Sequence, residues 1–169
     1  YSDSFSKNIV GYNFRLTEIM AEIGIQQINN LDFLNKIRRE NYFYLIDNLS
    51  SVCGEFLIPQ KITNINHYCP YHAGFRWLSK KSNIHRDLIR YILRSEGIPV
   101  SQGMPKLMSS NPLFEKGYLL NIINSKRNAY KIGNLPNANE LFNNQYLGFT
   151  QLGWPNTRDD MNDIINAFE

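Results

Sequence analysis

The chain has 169 residues, of which 43% are hydrophobic and 20% charged, a balance typical of a globular protein with one buried core. Its formal net charge of +3 is too small to indicate nucleic-acid binding, and no apolar run approaches the roughly 20 residues of a membrane-spanning helix. The first residues do not resemble a secretory signal, so we expect a cytoplasmic protein. Because the chain opens at Tyr1 rather than Met, we expect a piece of a longer protein.

The most distinctive segment, residues 11–18, reads Gly-Tyr-Asn-Phe-Arg-Leu-Thr-Glu. Gly11 lets the backbone approach a ligand closely, Asn13 offers an amide donor, and Arg15 offers a planar guanidinium that suits a carboxylate or phosphate. Thr17 is placed to cap a helix, whose free N–H groups favour an anion. From the residues alone, the segment is equally an anion-binding turn or a plain helix entrance.

Apolar residues at helical spacing continue this first helix as far as Ile28, and Asn30 is placed to cap a second helix that begins near Leu31. Two successive helices of this size commonly form a packed arm. A turn at Gly54 then leads into an extended segment that ends at Pro59.

Residues 66–78 are rich in aromatic side chains and predict a strand that is interrupted at Pro70. His67, Cys69 and His72 resemble a metal cluster, but no second Cys/His pair completes the four ligands of a structural zinc site. We therefore predict packing roles for them and no metal. Together with Cys53 there are two cysteines, too few for a disulfide framework.

Asn83 is placed to cap a helix that ends before Gly97, and Arg86, Arg90 and Arg94 fall on one face of that helix. Such a stripe is more often a solvated surface than a phosphate-binding track. A short strand (98–101), a loop (102–112), a helix (135–143), a strand (146–152) and a final helix capped at position 157 complete the order. We expect a small, mostly antiparallel sheet covered on one side by helices.

The segment GYNFRLTEIMAEIGIQQINNLD, residues 11–32, closely resembles the G-Y-N-x-R-[ML]-[ST]-E stretch of the DegT/DnrJ/EryC1/StrS family, pyridoxal-phosphate sugar aminotransferases of fold type I. The likeness continues at lower fidelity along nearly the whole chain, but it covers only the C-terminal part of such an enzyme. It implies an α/β fold. Residues 1–50 would be the motif-bearing segment and the long helices that link to an absent large domain, and residues 51–169 the small C-terminal domain.

The resemblance also implies a function. The intact homodimer would transfer an amino group, from glutamate or glutamine, to a keto-sugar that is often nucleotide-linked, in amino-sugar or surface-polysaccharide biosynthesis. In the family, the Asn of this motif reaches the phosphate of the cofactor in the neighbouring subunit. Asn13 is therefore the candidate for binding pyridoxal 5'-phosphate, and Arg15 and Tyr12 are the candidates for binding substrate. For Arg15, an ion pair with Glu18 or another acid at the helix start is an equal alternative.

The family's Schiff-base lysine lies in the large domain, before this motif. Lys7 faintly echoes the lysine segment but lies only four residues before Gly11, where an ordinary surface lysine is expected. No catalytic residue is assigned in this chain, and the fragment alone is predicted to be inactive.

Residues 97–114, GIPVSQGMPKLMSSNPLF, resemble the strand and loop that lie over the sugar pocket in this family. Many members carry His-Tyr and later Pro-Leu-His there. In this chain, residues 102–107 (Gln-Gly-Met-Pro-Lys-Leu) stand where those family members carry the histidines. Residues 111–114 (Asn-Pro-Leu-Phe) match the family pattern better. A histidine contact to the sugar therefore cannot be transferred to this chain, and the sugar is not identified.

Two alternatives stay open at the level of sequence. One is a dehydratase of the same fold, in which a histidine replaces the large-domain lysine. The other is a non-catalytic interaction module that completes the site of another chain.

Overall fold

The structure, a computed structural model, describes residues 16–65, 68–111 and 135–169. Its helices are α1 (Glu18–Asn29), α2 (Leu31–Cys53), α3 (Ser79–Ser82), α4 (Arg86–Ser95), α5 (Pro136–Glu140) and α6 (Arg158–Asn166). Its strands are β1 (Leu57–Pro59), β2 (Ala73–Trp77), β3 (Val100–Ser101) and β4 (Tyr146–Phe149). Two 3-10 turns span Gly54–Phe56 and Met108–Ser110, and a π-helical turn, Leu141–Gln145, joins α5 to β4.

The four strands form one antiparallel sheet in the order β1-β2-β4-β3. Strand β4, the last in the chain, lies between β2 and β3, so the sheet is not a simple meander. Phe75 of β2 lies opposite Leu147 of β4 and opposite Pro59 of β1. The predicted α/β fold class, with a small antiparallel sheet and helices, is confirmed.

The core lies between one face of this sheet and helices α2, α4 and α6. Because side chains alternate along a strand, every second residue of β2 and β4 points to this face. The buried strand residues are Leu57, Ala73, Phe75, Trp77, Val100, Leu147 and Phe149. The helices contribute Tyr42, Leu45, Leu49, Leu93, Met161, Ile164 and Ile165. The core therefore covers one side of the sheet, as predicted.

Two helix starts follow their local sequence. Thr17 Oγ1 accepts a hydrogen bond from the backbone N–H of Met20 at 3.3 Å, which caps α1 as predicted. At α6 the cap is reciprocal: Thr157 Oγ1 accepts from the backbone of Asp159, and the Asp160 carboxylate accepts from the backbone N–H of Thr157 at 2.7 Å. Both caps use residues within three positions of each other, which is why the sequence predicts them.

Asn30 does not cap α2 as predicted. Its side chain makes no capping bond at the start of that helix, and instead its amide donates to the carbonyl of Gln26 at 2.9 Å. The residue therefore closes the end of α1. Carbonyls at a helix end lack partners within the helix, so a nearby side-chain donor satisfies one of them.

The prediction that Asn83 caps the next helix is wrong. Asn83 has a φ of 58° and ends the short helix α3 in the left-handed conformation, which Asn tolerates better than most residues. His85 caps α4 instead, where its Nδ1 accepts from the backbone N–H of Asp87 at 3.2 Å. The end of α4 is as predicted, with Gly97 at a φ of 85° just beyond it.

The strand expected over residues 66–78 is shorter than predicted. It begins at Ala73, and residues 68–72 run outside the sheet. The Arg39 guanidinium of α2 holds this segment by donating to the carbonyls of Tyr68 and Ile65. Pro70, which lacks an N–H group, lies in the same segment and is buried. Residues 66 and 67, and with them His67, lie outside the described residues.

None of the helices in the described ranges has both the length and the apolar character needed to cross a membrane.

Candidate functional site

The motif residues lie just before the described part of the chain. Tyr12, Asn13 and Arg15, and also Lys7, are outside the described residues, which begin at position 16. The described structure supplies the helix into which the motif leads, α1. Its first turn carries one acidic residue, Glu18, and is capped by Thr17.

Helix α1 exposes apolar side chains. It has no buried residue, and Ile19 is 75% exposed. Glu18, Glu22 and Gln26 lie four residues apart and form a polar stripe along one side of α1. Most of the remaining circumference of the helix is apolar. The exposed apolar side chains of α1 and its flanks are Leu16, Ile19, Met20, Ile23, Ile25, Ile28 and Leu31. A helix that is apolar over most of its surface is typical of one covered by further protein.

The second face of the sheet is the other candidate surface, because helices α2, α4 and α6 pack on the first face. The residues of β2 and β4 that point away from the core are Gly74, Arg76, Tyr146 and Gly148. Arg76 is paired directly with Tyr146, and Gly74 with Gly148, while Ser101 of β3 also pairs with Gly148. We call this surface the Arg76–Tyr146 face; it comprises these five residues.

The Tyr146 ring lies on three glycines. A Cβ atom added to Gly148 would be 2.7 Å from Tyr146 Oη, and one added to Gly74 would be 3.2 Å from Tyr146 Cε2. A Cβ atom on Gly103 would also be 3.2 Å from the ring. Glycine at these positions lets one aromatic ring lie close to the backbone of two strands and a loop. Burial, and to a smaller extent the neighbouring Tyr68, raises the pKa of Tyr146.

Arg76 is exposed, and a network of side chains positions it. Its Nε donates to Gln145 Oε1 at 2.9 Å, and Gln145 in turn donates to Glu140 at 3.2 Å. The other oxygen of Glu140 accepts from Asn144 at 2.6 Å. The guanidinium is therefore held through one nitrogen, while its two terminal nitrogens make no hydrogen bond or ion pair within the described residues.

The loop that resembles the family's sugar-pocket loop begins at the Arg76–Tyr146 face. The backbone N–H of Gly103 donates to Ser101 Oγ at 2.9 Å, and Gly103 has a φ of 91°, which favours glycine. Gly103 then packs on the Tyr146 ring. The described part of this loop, to residue 111, thus starts beside Tyr146, whereas residues 112–114 lie outside the described residues.

The arginine stripe of α4 is not a uniform surface. Arg86 is only 3% exposed, and its terminal nitrogens donate to the carbonyls of Tyr146 at 2.8 Å, Asn143 at 2.8 Å and Phe142 at 3.3 Å. Its Nε lies 2.9 Å from a carboxylate oxygen of Asp87. Burial lowers the pKa of Arg86, and the Asp87 carboxylate opposes this. The expectation of a solvated face is therefore wrong for Arg86, which is structural.

The described residues do not by themselves fit a Schiff-base site. Their lysines are all exposed, and Lys81 forms an ion pair with Glu55. A Schiff-base lysine needs a setting that lowers its pKa, such as an apolar pocket. Within the described ranges, no three His, Cys, Asp or Glu side chains are grouped so that they could hold a metal. Cys53 and Cys69 are both free, and burial raises the pKa of Cys53 to about 11.

Sequence reasoning did not find Arg76 and Tyr146. They lie 70 positions apart, and only the register of β2 against β4 brings them together. The local signal is the spacing of Tyr146 and Gly148, an aromatic residue two positions before a glycine, since residues two apart share one face of a strand and glycine leaves room there for the ring.

Comparison with known proteins supports the resemblance in the motif. The sequence pattern of the DegT/DnrJ/EryC1/StrS aminotransferase family matches residues 1–146. No curated protein matches the sequence significantly. The X-ray structure of the aminotransferase from Psychrobacter cryohalolentis is similar over 93% of this chain, with a TM-score of 0.66 and 19% sequence identity.

At that identity, the likeness to the Psychrobacter enzyme shows the fold alone. The chain spans 39% of the length of that structure, so it corresponds to part of such a protein. The family match covers most of the chain and includes the motif at residues 11–18. The chain therefore belongs to the DegT/DnrJ/EryC1/StrS aminotransferase family.

Proposed function

We propose that this chain is the C-terminal part of a pyridoxal-phosphate-dependent sugar aminotransferase. The intact enzyme transfers an amino group from glutamate or glutamine to a keto-sugar, nucleotide-linked, in amino-sugar or surface-polysaccharide biosynthesis in the cytoplasm. The observation that carries this proposal is the family match over residues 1–146, which contains the Gly-Tyr-Asn-Phe-Arg motif.

Three motif residues have proposed roles in the intact enzyme. Asn13 donates its amide hydrogens to the cofactor phosphate of the neighbouring subunit, while Arg15 and Tyr12 contact the substrate. Pyridoxal phosphate, when bound, acts as the electron sink for amino transfer. The lysine that would hold the cofactor is assigned to the large domain, so the 169-residue fragment alone is inactive.

A shared site requires a homodimer, and the exposed apolar surface of α1 supports one. The motif directly precedes α1, so a second subunit that packs on α1 would lie beside Asn13. In this proposal residues 1–50 link to the large domain and contribute to the dimer, and residues 51–169 form the small domain, whose core also takes in Tyr42, Leu45 and Leu49 of α2.

The test uses the intact enzyme. Asn13→Ala removes a hydrogen bond to a charged group, worth roughly 1.5–3 kcal/mol, so we expect the cofactor dissociation constant to rise about ten- to a hundredfold. The matched control is Asn29→Ala, which removes the same amide from the exposed end of α1 and should leave cofactor affinity unchanged. Equilibrium titration followed by cofactor absorbance measures both variants.

Unchanged cofactor affinity in Asn13→Ala would contradict the phosphate role. Sharing between subunits is tested by mixing Asn13→Ala subunits with subunits that lack the Schiff-base lysine. One of the two sites in the mixed dimer then has both residues, so activity should exceed that of either parent. Absence of any gain, with mixed dimers shown to form, would exclude a shared site.

The alternatives have separate signatures. A dehydratase would carry a histidine in place of the large-domain lysine and would release water from the sugar rather than aminate it. An interaction module would lack a large domain in its own polypeptide. The coding region upstream of residue 1 and an assay of the intact protein against a panel of keto-sugars distinguish the three.

A further inference from the structure

The Arg76–Tyr146 face combines a partly exposed aromatic ring with a guanidinium whose two terminal nitrogens have no partner within the described residues. We propose that this face binds a sugar phosphate, with the sugar ring against Tyr146 and the phosphate on Arg76. The proposal rests on the proposed function for its choice of substrate class and specifies which surface of the small domain recognises that substrate.

The orientation of Tyr146 suits a sugar ring. One side of the aromatic ring faces Gly74, Gly103 and Gly148, as the short distances to their hypothetical Cβ atoms show. No other aromatic ring stacks on Tyr146 within the described residues, and its side chain is only partly buried. The ring is therefore not enclosed, and its exposed part can contact the C–H groups of a pyranose, which form an apolar surface that packs on an aromatic ring.

The setting of Arg76 suits the phosphate. The hydrogen bond from Nε to Gln145 fixes the plane of the guanidinium and leaves the two terminal nitrogens for a bidentate contact. Glu140 is the carboxylate connected to this network, and both of its oxygens accept from side-chain amides, those of Gln145 and Asn144. The positive charge of Arg76 therefore has no direct carboxylate partner in the described structure.

The spacing of the two groups suits a ligand of one ring and one anion. Arg76 and Tyr146 are opposite each other on adjacent strands, where Cβ atoms are about 4.5–5.5 Å apart. The hydroxyl of Ser101 lies on the same face, two strands from Arg76. A pyranose over the Tyr146 ring would thus place a phosphate substituent beside the Arg76 guanidinium. A single sugar phosphate is long enough to contact both side chains.

The experiment is an NMR titration of the 169-residue chain with α-glucose 1-phosphate, followed at the Tyr146 ring protons and the Arg76 Nε–H. We expect saturable shifts at both groups. Arg76→Gln should weaken binding at least tenfold, because it removes the bidentate contact while keeping a polar side chain. Tyr146→Phe should bind like the unmodified chain, whereas Tyr146→Leu should bind at least fivefold more weakly, because it lacks the flat ring.

The matched control is Arg94→Gln, which removes an exposed guanidinium from α4 and should leave the affinity unchanged. Amide spectra of each variant show whether the fold is retained. Methyl glucoside tests the need for the phosphate and inorganic phosphate the need for the ring, and both should bind at least tenfold more weakly than glucose 1-phosphate. Shifts that do not saturate, equal binding of inorganic phosphate, or unchanged affinity in Arg76→Gln would each overturn the proposal.

A further arm uses UDP-glucose in place of glucose 1-phosphate. Equal or tighter binding assigns the face to nucleotide-linked sugars, and weaker binding assigns it to free sugar phosphates; either result is consistent with a sugar-phosphate site.

The proposed function can fail independently of this inference. If the intact enzyme aminates a keto-sugar but this face binds no sugar phosphate, only the present inference is wrong. If the face binds but the intact enzyme aminates no sugar, the proposed function is wrong.

Discussion

At the scale of single residues, Arg86 is the clearest case of a side chain whose role depends on tertiary structure. Its guanidinium satisfies three carbonyls at the junction of the π-helical turn and β4, and its own backbone N–H donates to Ser79 Oγ at 3.1 Å. Ser79 Oγ donates in turn to the carbonyl of Asn144. One buried arginine therefore joins the start of α4 to the segment that enters the sheet.

Replacing Arg86 with Met should strongly destabilise the chain. The substitution keeps apolar bulk but leaves carbonyls without donors, and each buried unsatisfied group costs about 1–3 kcal/mol, so we expect a loss of about 3 kcal/mol or more. Urea unfolding followed by circular dichroism measures the change.

Arg94→Met is the control for this substitution, since Arg94 is exposed on the same helix and the loss should be within about 0.5 kcal/mol. A similar, small loss in both variants would contradict the structural role of Arg86.

At the scale of elements, the helix ends show how local interactions define the fold. In the capping box of α6, the Asp160 carboxylate accepts from the backbone N–H and the hydroxyl of Thr157 at 2.7 and 3.0 Å. These bonds favour the ionised carboxylate and lower the pKa of Asp160 below its ordinary value of 3.8. Ionised Asp160 therefore stabilises the folded chain.

The sign of the pH dependence follows from that lowered pKa. The contribution of Asp160 is fully present above its unfolded pKa and is lost as the pH falls below about 3.8, through the folded value. We expect the unmodified chain to be more stable than Asp160→Ala at pH 7, and the difference to shrink below pH 3.8.

Thermal unfolding midpoints of both proteins between pH 7 and the acid limit of folding test this expectation. Asp163→Ala, an exposed position on the same helix, is the control and should show no such convergence. A stability difference for Asp160→Ala that stays constant down to the lowest pH would exclude the capping box as its source.

The elements also show which features the sequence can predict. The caps at Thr17 and Thr157 and the end of α4 at Gly97 depend on residues within a few positions, and these predictions are confirmed. The start of β2 and the cap of α4 depend on distant groups. Arg39 holds the chain before β2, and Ser79 and the carbonyls around Asn143 hold Arg86 at the start of α4.

The candidate site divides in the same way. The motif around Asn13 is contiguous, so a short stretch of sequence leads directly to the family. The Arg76–Tyr146 face requires the register between two strands and the positions of three glycines from different segments. No local pattern contains that information, because pairing between strands is set by the packing of the whole core.

At the scale of the whole molecule, α1 is the helix whose apolar side chains stay exposed, among the described residues, while α2, α4 and α6 pack on the sheet. Isolated helices of about 12 residues are marginal in water, and most helices in proteins are stabilised by packing of an apolar side. Among the described residues, α1 has no buried side chain, although its apolar residues cover most of its circumference. Its stability in the intact enzyme should therefore depend on association.

Charged residues on α1 should weaken the proposed homodimer. Burying an Ile side chain contributes about 1.5–3 kcal/mol, so the double variant Ile19→Glu/Ile23→Glu should raise the dimer dissociation constant of the intact enzyme at least about a hundredfold. Sedimentation velocity over a range of concentrations measures this constant.

The control is Gln26→Glu, which adds a charge on the polar stripe of the same helix and should leave the dimer intact. A dimer of unchanged affinity in the double variant would show that another surface joins the subunits.

The position of β4 has a consequence for synthesis of the protein. Strand β3 pairs with β4 alone, and β2 has only the three-residue strand β1 on its other side, so the sheet lacks its central member until residues 146–149 are made. On the ribosome, the nascent sheet therefore carries unpaired strand edges, which are prone to aggregation, until residues 146–149 emerge. The sheet should consequently assemble only after residues 146–149 have left the exit tunnel, rather than strand by strand as the chain is made.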